Sequence, residues 1–334
     1  MAQRAGEALA ASITRRASRQ SYLTIRVLAD RAYRWDAFAL YAYFRWLDDT
    51  VDEVLPDTAA RLAFVSGQRD LLARAVAGRP VLGARPEEDL LVGLVQRDTA
   101  GARRGADGAE PVAGAGVGPS ECLVGALDAM LDVMEFDAAR RGRADGQGEL
   151  DAYTRSLAVA VTESLHHCIG HGCVSPHDET RYVAVTGAHV AHMLRDLVED
   201  LQAGYLNVPI DVIGDHREAW EHDPGAVLAD VHAPAVRDWV RERVELARSC
   251  FATGRAYLGR VGSARCRFAG HAYTARFEWV LDVIEQDGYL LRPGYPERSS
   301  LRGGLSVGVR SVRSALAGGR SPAQDGDLRR AAAR

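Results

Sequence analysis

The chain has 334 residues, 41 basic against 45 acidic for a net charge of −4, and 47% of it is hydrophobic. That excludes disorder as the overall class and supplies a large core, in one big helical domain or in two smaller ones. Every basic residue is Arg, and these are spread along the chain, so nothing attracts a phosphate polymer in general and nucleic acid is not an expected partner.

The chain begins with Ala mixed with Arg and Glu, which lacks the apolar segment of a secretory leader. Apolar residues then recur at spacings of three and four, the period of helices packed on helices. Helices are predicted over 18–30, opened by a capping Ser, and over 31–54, stopped by Pro56. Further helices are predicted over 58–77, 120–141, 149–170, 178–204, 229–258 and 264–287. No segment alternates as a strand does. The fold class expected is therefore all-α, one helical bundle over 1–300. Residues 101–118, rich in Gly, Ala and Arg, are expected to form a mobile loop, and 301–334 a disordered tail. A basic arm that binds a partner is the alternative for the tail.

No run reaches the roughly 18 apolar residues of a membrane span. The five Cys residues show no repeated CxxC, so a reduced cytoplasmic protein is expected, with at most peripheral membrane contact. His166, His167, His171 and Cys173 invite a zinc reading, but adjacent helical His residues diverge and a fourth ligand is unassigned. They read better as core or surface histidines.

The chemistry is concentrated in two helices. One reads Tyr41-Ala-Tyr-Phe-Arg45-Trp-Leu-Asp48-Asp49-Thr-Val-Asp52-Glu53, and places Asp48 and Asp52 one turn apart with Arg45 on the same side. Such a like-charge pair costs a helix about 0.2–0.5 kcal/mol and calls for a cation. The other reads His192-Met-Leu-Arg195-Asp196-Leu-Val-Glu199-Asp200 and repeats the spacing with Asp196 and Asp200. Two carboxylate pairs turned inward fit a hard divalent cation, and Mg²⁺ bridging a diphosphate fits best. A di-iron carboxylate bundle needs a Glu-x-x-His spacing that both helices lack. The candidate metal residues are Asp48, Asp49, Asp52, His192, Asp196, Glu199 and Asp200. The aromatic residues Trp35, Phe38, Phe44 and Trp46 read as core packing.

Together Ser18-Arg-Gln-Ser-Tyr22, the run from Tyr41 to Glu53, and Arg195-Asp-Leu-Val-Glu-Asp200 resemble the squalene/phytoene synthase family. Weaker similarity in Met134-Glu-Phe-Asp-Ala-Ala-Arg140 and in 277–289 extends the likeness over roughly 15–298. The resemblance implies an isoprenoid synthase helical bundle with a central cavity. In it a prenyl diphosphate lies on Mg²⁺ between the two acidic helices and its allylic C–O bond ionises. It further implies that Ser18, Arg19, Arg45 and Arg195 approach the diphosphate and that Tyr41 faces the cation.

Three departures carry information. His192 stands where the family has Asn, which leaves the number of Mg²⁺ ions open. Gly204-Tyr-Leu-Asn-Val-Pro209 replaces Gly-Arg-x-Tyr-Leu-Pro, and Val161-Thr-Glu-Ser-Leu-His-His167 replaces a small apolar segment. These changes touch what head-to-head coupling of two chains requires and spare the first ionisation. The function expected is a prenyltransferase that passes the cation from a prenyl diphosphate donor to a small-molecule acceptor, an electron-rich carbazole- or indole-like ring, as in an aromatic-prenylating offshoot of the family. Glu163 is then a candidate to accept the ring proton or to hydrogen-bond an acceptor hydroxyl, though it reads better as a structural ion pair. The rivals are a head-to-head squalene or phytoene synthase whose acceptor is a second prenyl diphosphate, a terpene cyclase, and a non-catalytic assembly partner.

Overall fold

The computed structural model describes residues 2–106, 119–213 and 233–295. The helices are α1 (Ala2–Ala17), α2 (Arg19–Leu28), α3 (Arg34–Asp49), α4 (Thr58–Val76), α5 (Pro86–Ala106) and α6 (Pro119–Arg140). They continue with α7 (Gln147–Cys168), α8 (Val183–Gln202), the single turn α9 (Ile210–Ile213), α10 (Pro234–Leu258) and α11 (Ala264–Gln286). Among the described residues there is no strand, only an isolated bridge between Ala144 and Leu206. The chain is an all-α bundle, as its periodicity requires.

Local chemistry sets the helix ends. The Ser18 hydroxyl accepts from the Ser21 N–H at 3.0 Å and caps α2, and Asp57 caps α4 by accepting from Ala60 N–H at 2.8 Å. At the end of α3 the chain widens into a π turn, Thr50–Val54, where the Leu55 N–H reaches back to the Thr50 carbonyl at 3.1 Å. Besides the single turn α9, two helices were not anticipated. The Arg-rich opening of the chain forms α1, which packs on α3, and α5 runs through 101–106, so the first part of the expected loop is helical. Pro86 followed by Glu87, Glu88 and Asp89 is the start signal that marks α5. Residues 107–118 and the expected tail at 301–334 lie outside the described residues.

Two apolar clusters build the core. One gathers α1, α3, α4, α5 and α6 around Tyr43, Leu47, Leu94, Leu127 and Leu131. The other joins α8, α10 and α11 through Leu194, Leu197, Val244, Phe251 and Leu281. Between them α7 packs on both α6 and α8, so the acidic ends of α3 and α8 stand on opposite sides of one seam.

Helix α8 is held close to α10 by small residues. A Cβ on Gly254 would lie 2.6 Å from the Ala184 Cβ, and one on Gly187 would lie 2.8 Å from the Cys250 Cβ. Gly254→Ala is therefore expected to push apart the helix that carries Asp196 and Asp200, lowering stability by about 1–3 kcal/mol. Urea unfolding of the variant measures this, and an unchanged midpoint would contradict the close crossing.

Candidate active site

Four helices and one loop bring the acidic residues together. Asp48 ends α3, Asp52 sits in the π turn, Asp137 and Arg140 close α6, Tyr153 lies on α7, and Asp196 and Asp200 close α8. The loop after α8 returns through Tyr205 and Asn207. Its turn depends on Gly204 at φ 88°, whose carbonyl accepts from the N–H of Gly142, itself at φ 76°, at 2.8 Å. Both are left-handed positions that side chains rarely adopt, and they lock the ends of α6 and α8 together.

Hydrogen bonds join the two carboxylate pairs into one centre. The Tyr205 hydroxyl donates to Asp52 at 2.7 Å, and the Asn207 amide donates to Asp200 at 2.6 Å. Arg140, buried beneath them, donates to Asn207 at 2.6 Å and to Asp137 at 2.8 Å, and its guanidinium lies over the rings of Tyr153 and Tyr205. Tyr153 donates to the other oxygen of Asp137 at 3.2 Å.

The electrostatics show an excess of negative charge. Burial, then the facing Asp52, pushes the Asp48 carboxyl up to about 6, and burial, then Asp196, pushes Asp200 up to about 7. Asp137 is raised for the same first reason, against the pull of Arg140. Asp196 goes the other way: burial opposes its charge, but hydrogen bonds from Arg195 and His192 outweigh it and hold the carboxyl low. An all-oxygen donor set with this surplus of charge fits a hard divalent cation.

Because Asp200 titrates above its ordinary value, the metal-free protein carries a penalty at neutral pH. That penalty is relieved as pH falls from about 7 toward 4 and returns as pH rises through about 7. Asp200→Asn, which keeps an acceptor for Asn207, is expected to stabilise the chelator-treated protein by about 1–2 kcal/mol after solvent screening. Denaturation in chelator at pH 7 reads the gain, and a loss would count against the charge surplus.

Not every candidate joins this centre. Arg45 turns to Asp48, at 3.2 Å, and to Asp49. Arg195 is buried and donates to Asp196 at 2.5 Å, and His192 lies 2.9 Å from the same carboxylate. Glu199 is exposed, next to Asp200 in sequence, and its charge adds to the upward push on that carboxyl. The Ser18 hydroxyl is used as a helix cap, and Arg19 is exposed beside it.

Glu163 has the contacts of an ion pair, not of a base. Both its oxygens accept from Arg181, at 2.7 and 2.8 Å, and Tyr182 donates to one of them at 2.9 Å. Burial is overcome by these partners and its acidity lies below the ordinary carboxylate range, so its affinity for a proton is weak. Cys122, Glu163 and His177 place ligand atoms within 4.8 Å of one another, but Arg181 already claims the Glu163 oxygens.

One turn below Asp48 on α3, Phe44 and Tyr41 line a largely apolar cavity of about 360 Å³ that reaches across to Val161 and Ser164 on α7 and Tyr273 on α11. Asp137, Arg140, Tyr153, Tyr205 and Asn207 were not singled out as site residues. The signal was present in the Met134–Arg140 segment and in the departure at 204–209, but it takes the fold to bring these two stretches beneath Asp52.

An all-helical bundle with paired aspartates above an apolar chamber is an isoprenoid synthase. The chain belongs to the squalene/phytoene synthase family, whose sequence profile matches residues 14–302. It is a prenyltransferase of a family that uses prenyl diphosphates and generally a divalent metal. No curated protein matches the chain significantly. Among solved structures it is similar to squalene synthase HpnC from Alicyclobacillus acidocaldarius, at 22% identity and a TM-score of 0.63 over 87% of this chain and 97% of that one. A dehydrosqualene synthase in complex with ligand gives 13% and 0.64, over 93% and 97%. The complex of TcSQS with BPH1237 gives 13% and 0.62, over 95% and 93%. Among the described residues no helix is long and apolar enough to cross a membrane.

Proposed function

We propose that the protein ionises one allylic prenyl diphosphate with Mg²⁺ and transfers the prenyl cation to a small-molecule acceptor, an electron-rich ring of the carbazole or indole type. The observation that supports the first half is that Asp52 and Asp200, one from each carboxylate pair, are held by Tyr205 and Asn207 of a single loop, while Phe44, one turn before Asp48 on α3, lines the cavity. Mg²⁺ held by these carboxylates would neutralise the diphosphate and favour its departure. Arg45 and Arg195 hold Asp48, Asp49 and Asp196 in place, and their guanidinium groups balance part of the charge. Tyr41 offers a ring face to the cation without the nucleophilicity to capture it. The apolar wall keeps water from the cation until an acceptor attacks.

The acceptor half is supported by α7, where Ser164 stands in the cavity wall in place of a small apolar residue. With Glu163 committed to Arg181, the ring proton leaves to another acceptor, and the departing diphosphate is the base nearest to the cation. Head-to-head coupling is the second reading, favoured by the likeness to squalene and dehydrosqualene synthase structures.

One assay separates them. The protein is incubated with Mg²⁺ and C5 to C20 prenyl diphosphates, with and without indole or carbazole, and products are identified by mass. The expected result is a prenylated ring with one diphosphate released per product. Two diphosphates per hydrocarbon without any added acceptor would replace this reading by the head-to-head one, and a cyclic product from a single donor would replace it by cyclisation.

A further inference from the structure

Beside the main cavity lies a second, smaller one of about 50 Å³, enclosed by α7, α8, α10 and α11. Leu165, Ile169 and Tyr273 line both, so the two are neighbours across three side chains. Its position is remote from the aspartates. Tyr153 touches Asp137 at the acidic end, and Thr162 and His166 follow nine and thirteen residues later on the same helix, roughly 14 and 20 Å along its axis. A prenyl chain with its diphosphate at the aspartates would point its tail this way.

The wall of this side cavity is polar in a particular manner. Thr162 is only 5% exposed, and its hydroxyl has no hydrogen-bond partner among the described residues. Thr14, Thr50, Thr99, Thr154 and Thr186 all donate to the carbonyl one turn back, and Thr162 does not follow them. An orphaned buried hydroxyl has given up its bond to water without replacement, and a ligand reaching it would restore that bond. Opposite, the Tyr257 hydroxyl accepts from Arg181 at 3.3 Å, donates to the Pro176 carbonyl at 3.2 Å and lies 3.1 Å from His166 Nε2.

These groups are polar without net charge. Arg181 is neutralised by its two bonds to Glu163. Burial pushes His166 down to about 4, so its imidazole is neutral at physiological pH. A charged ligand would be left unpaired here at a high desolvation cost, while a neutral oxygen can donate to or accept from the Thr162 hydroxyl. The volume holds a few atoms, not a ring system.

We propose that this side cavity is a subsite for an uncharged oxygen function, a hydroxyl or carbonyl, at the far end of the prenyl chain, with Thr162 as its primary contact. The inference rests on prenyl occupancy of the main cavity and adds a donor class to it, chains oxygenated at the ω end.

The test measures binding of the unreactive thiolodiphosphates of farnesol and geranylgeraniol, and of their ω-hydroxylated forms, by calorimetry with Mg²⁺. Wild type is expected to bind at least one hydroxylated chain as tightly as its plain counterpart, or more tightly. Thr162→Val, which keeps shape and removes the hydroxyl, is expected to weaken the hydroxylated chain about 5- to 30-fold and leave the plain chain unchanged. Thr162→Ser restores the affinity. Unchanged affinity of the plain chain shows that the variant folds. Equal affinities of wild type and Thr162→Val for the hydroxylated chain would overturn the subsite and leave the prenyl reading standing, as expected if the cavity holds only water. Failure of every chain to bind would overturn both.

Discussion

Asp48→Asn and Asp196→Asn are each expected to lower Mg²⁺-dependent diphosphate release by at least about 10²- to 10³-fold, with helix content by circular dichroism unchanged. The two positions test different things. Asp48 carries part of the unneutralised charge that burial and Asp52 create, so its loss removes a ligand from the α3 side. Asp196 is already ion-paired with Arg195 and lies 2.9 Å from His192, so its loss also leaves the buried Arg195 guanidinium without its carboxylate partner. If either variant retained wild-type turnover, that side of the seam would not hold the diphosphate. Loss of both activities with normal folding is the outcome that the joined carboxylates require.

Arg181→Met is expected to destabilise the protein by about 3–5 kcal/mol, because it leaves Glu163 charged and buried without its main partner. The double replacement with Glu163→Gln removes the charge as well and should recover most of that loss, by roughly 2 kcal/mol or more. Urea denaturation of the two single variants and the double variant gives the coupling. The same set settles the role of Glu163: a folded double variant that still prenylates shows that its carboxylate is not the base. Inactivity of a fully stable double variant would return it to the chemistry.

The helices and both aspartate pairs were legible because their signals are local, a 3.6-residue period and carboxylates one turn apart. The capping Ser18 and the stop at Pro56 likewise act over a few residues. Less legible was α5, whose acidic start signal is followed by a Gly- and Arg-rich end that reads as loop, and α1, whose Arg and Ala content reads as solvated chain. The least legible part was what holds the site together. Tyr205 is 153 positions from Asp52 and Asn207 is 67 from Arg140, so neither bond leaves a mark at short range. Glu163 illustrates the converse case: a carboxylate on a helix facing the core suggests a base, and only the position of Arg181 turns it into an anchor.

The π turn at Thr50–Val54 makes Asp52 sensitive to counting more than to composition. It holds one residue more than a regular helical turn closes over. Dropping Thr50 or Val51 would let the segment relax into ordinary winding and swing the Asp52 carboxylate by about 100° about the axis, away from the Tyr205 hydroxyl. Beyond Asp52 itself and the buried Thr50 and Val51, it is the length of that stretch that the site constrains. Insertions and deletions among descendants of this chain would then fall elsewhere, and the spacing from Asp48 to Leu55 would stay fixed as a ruler for the mouth of the chamber.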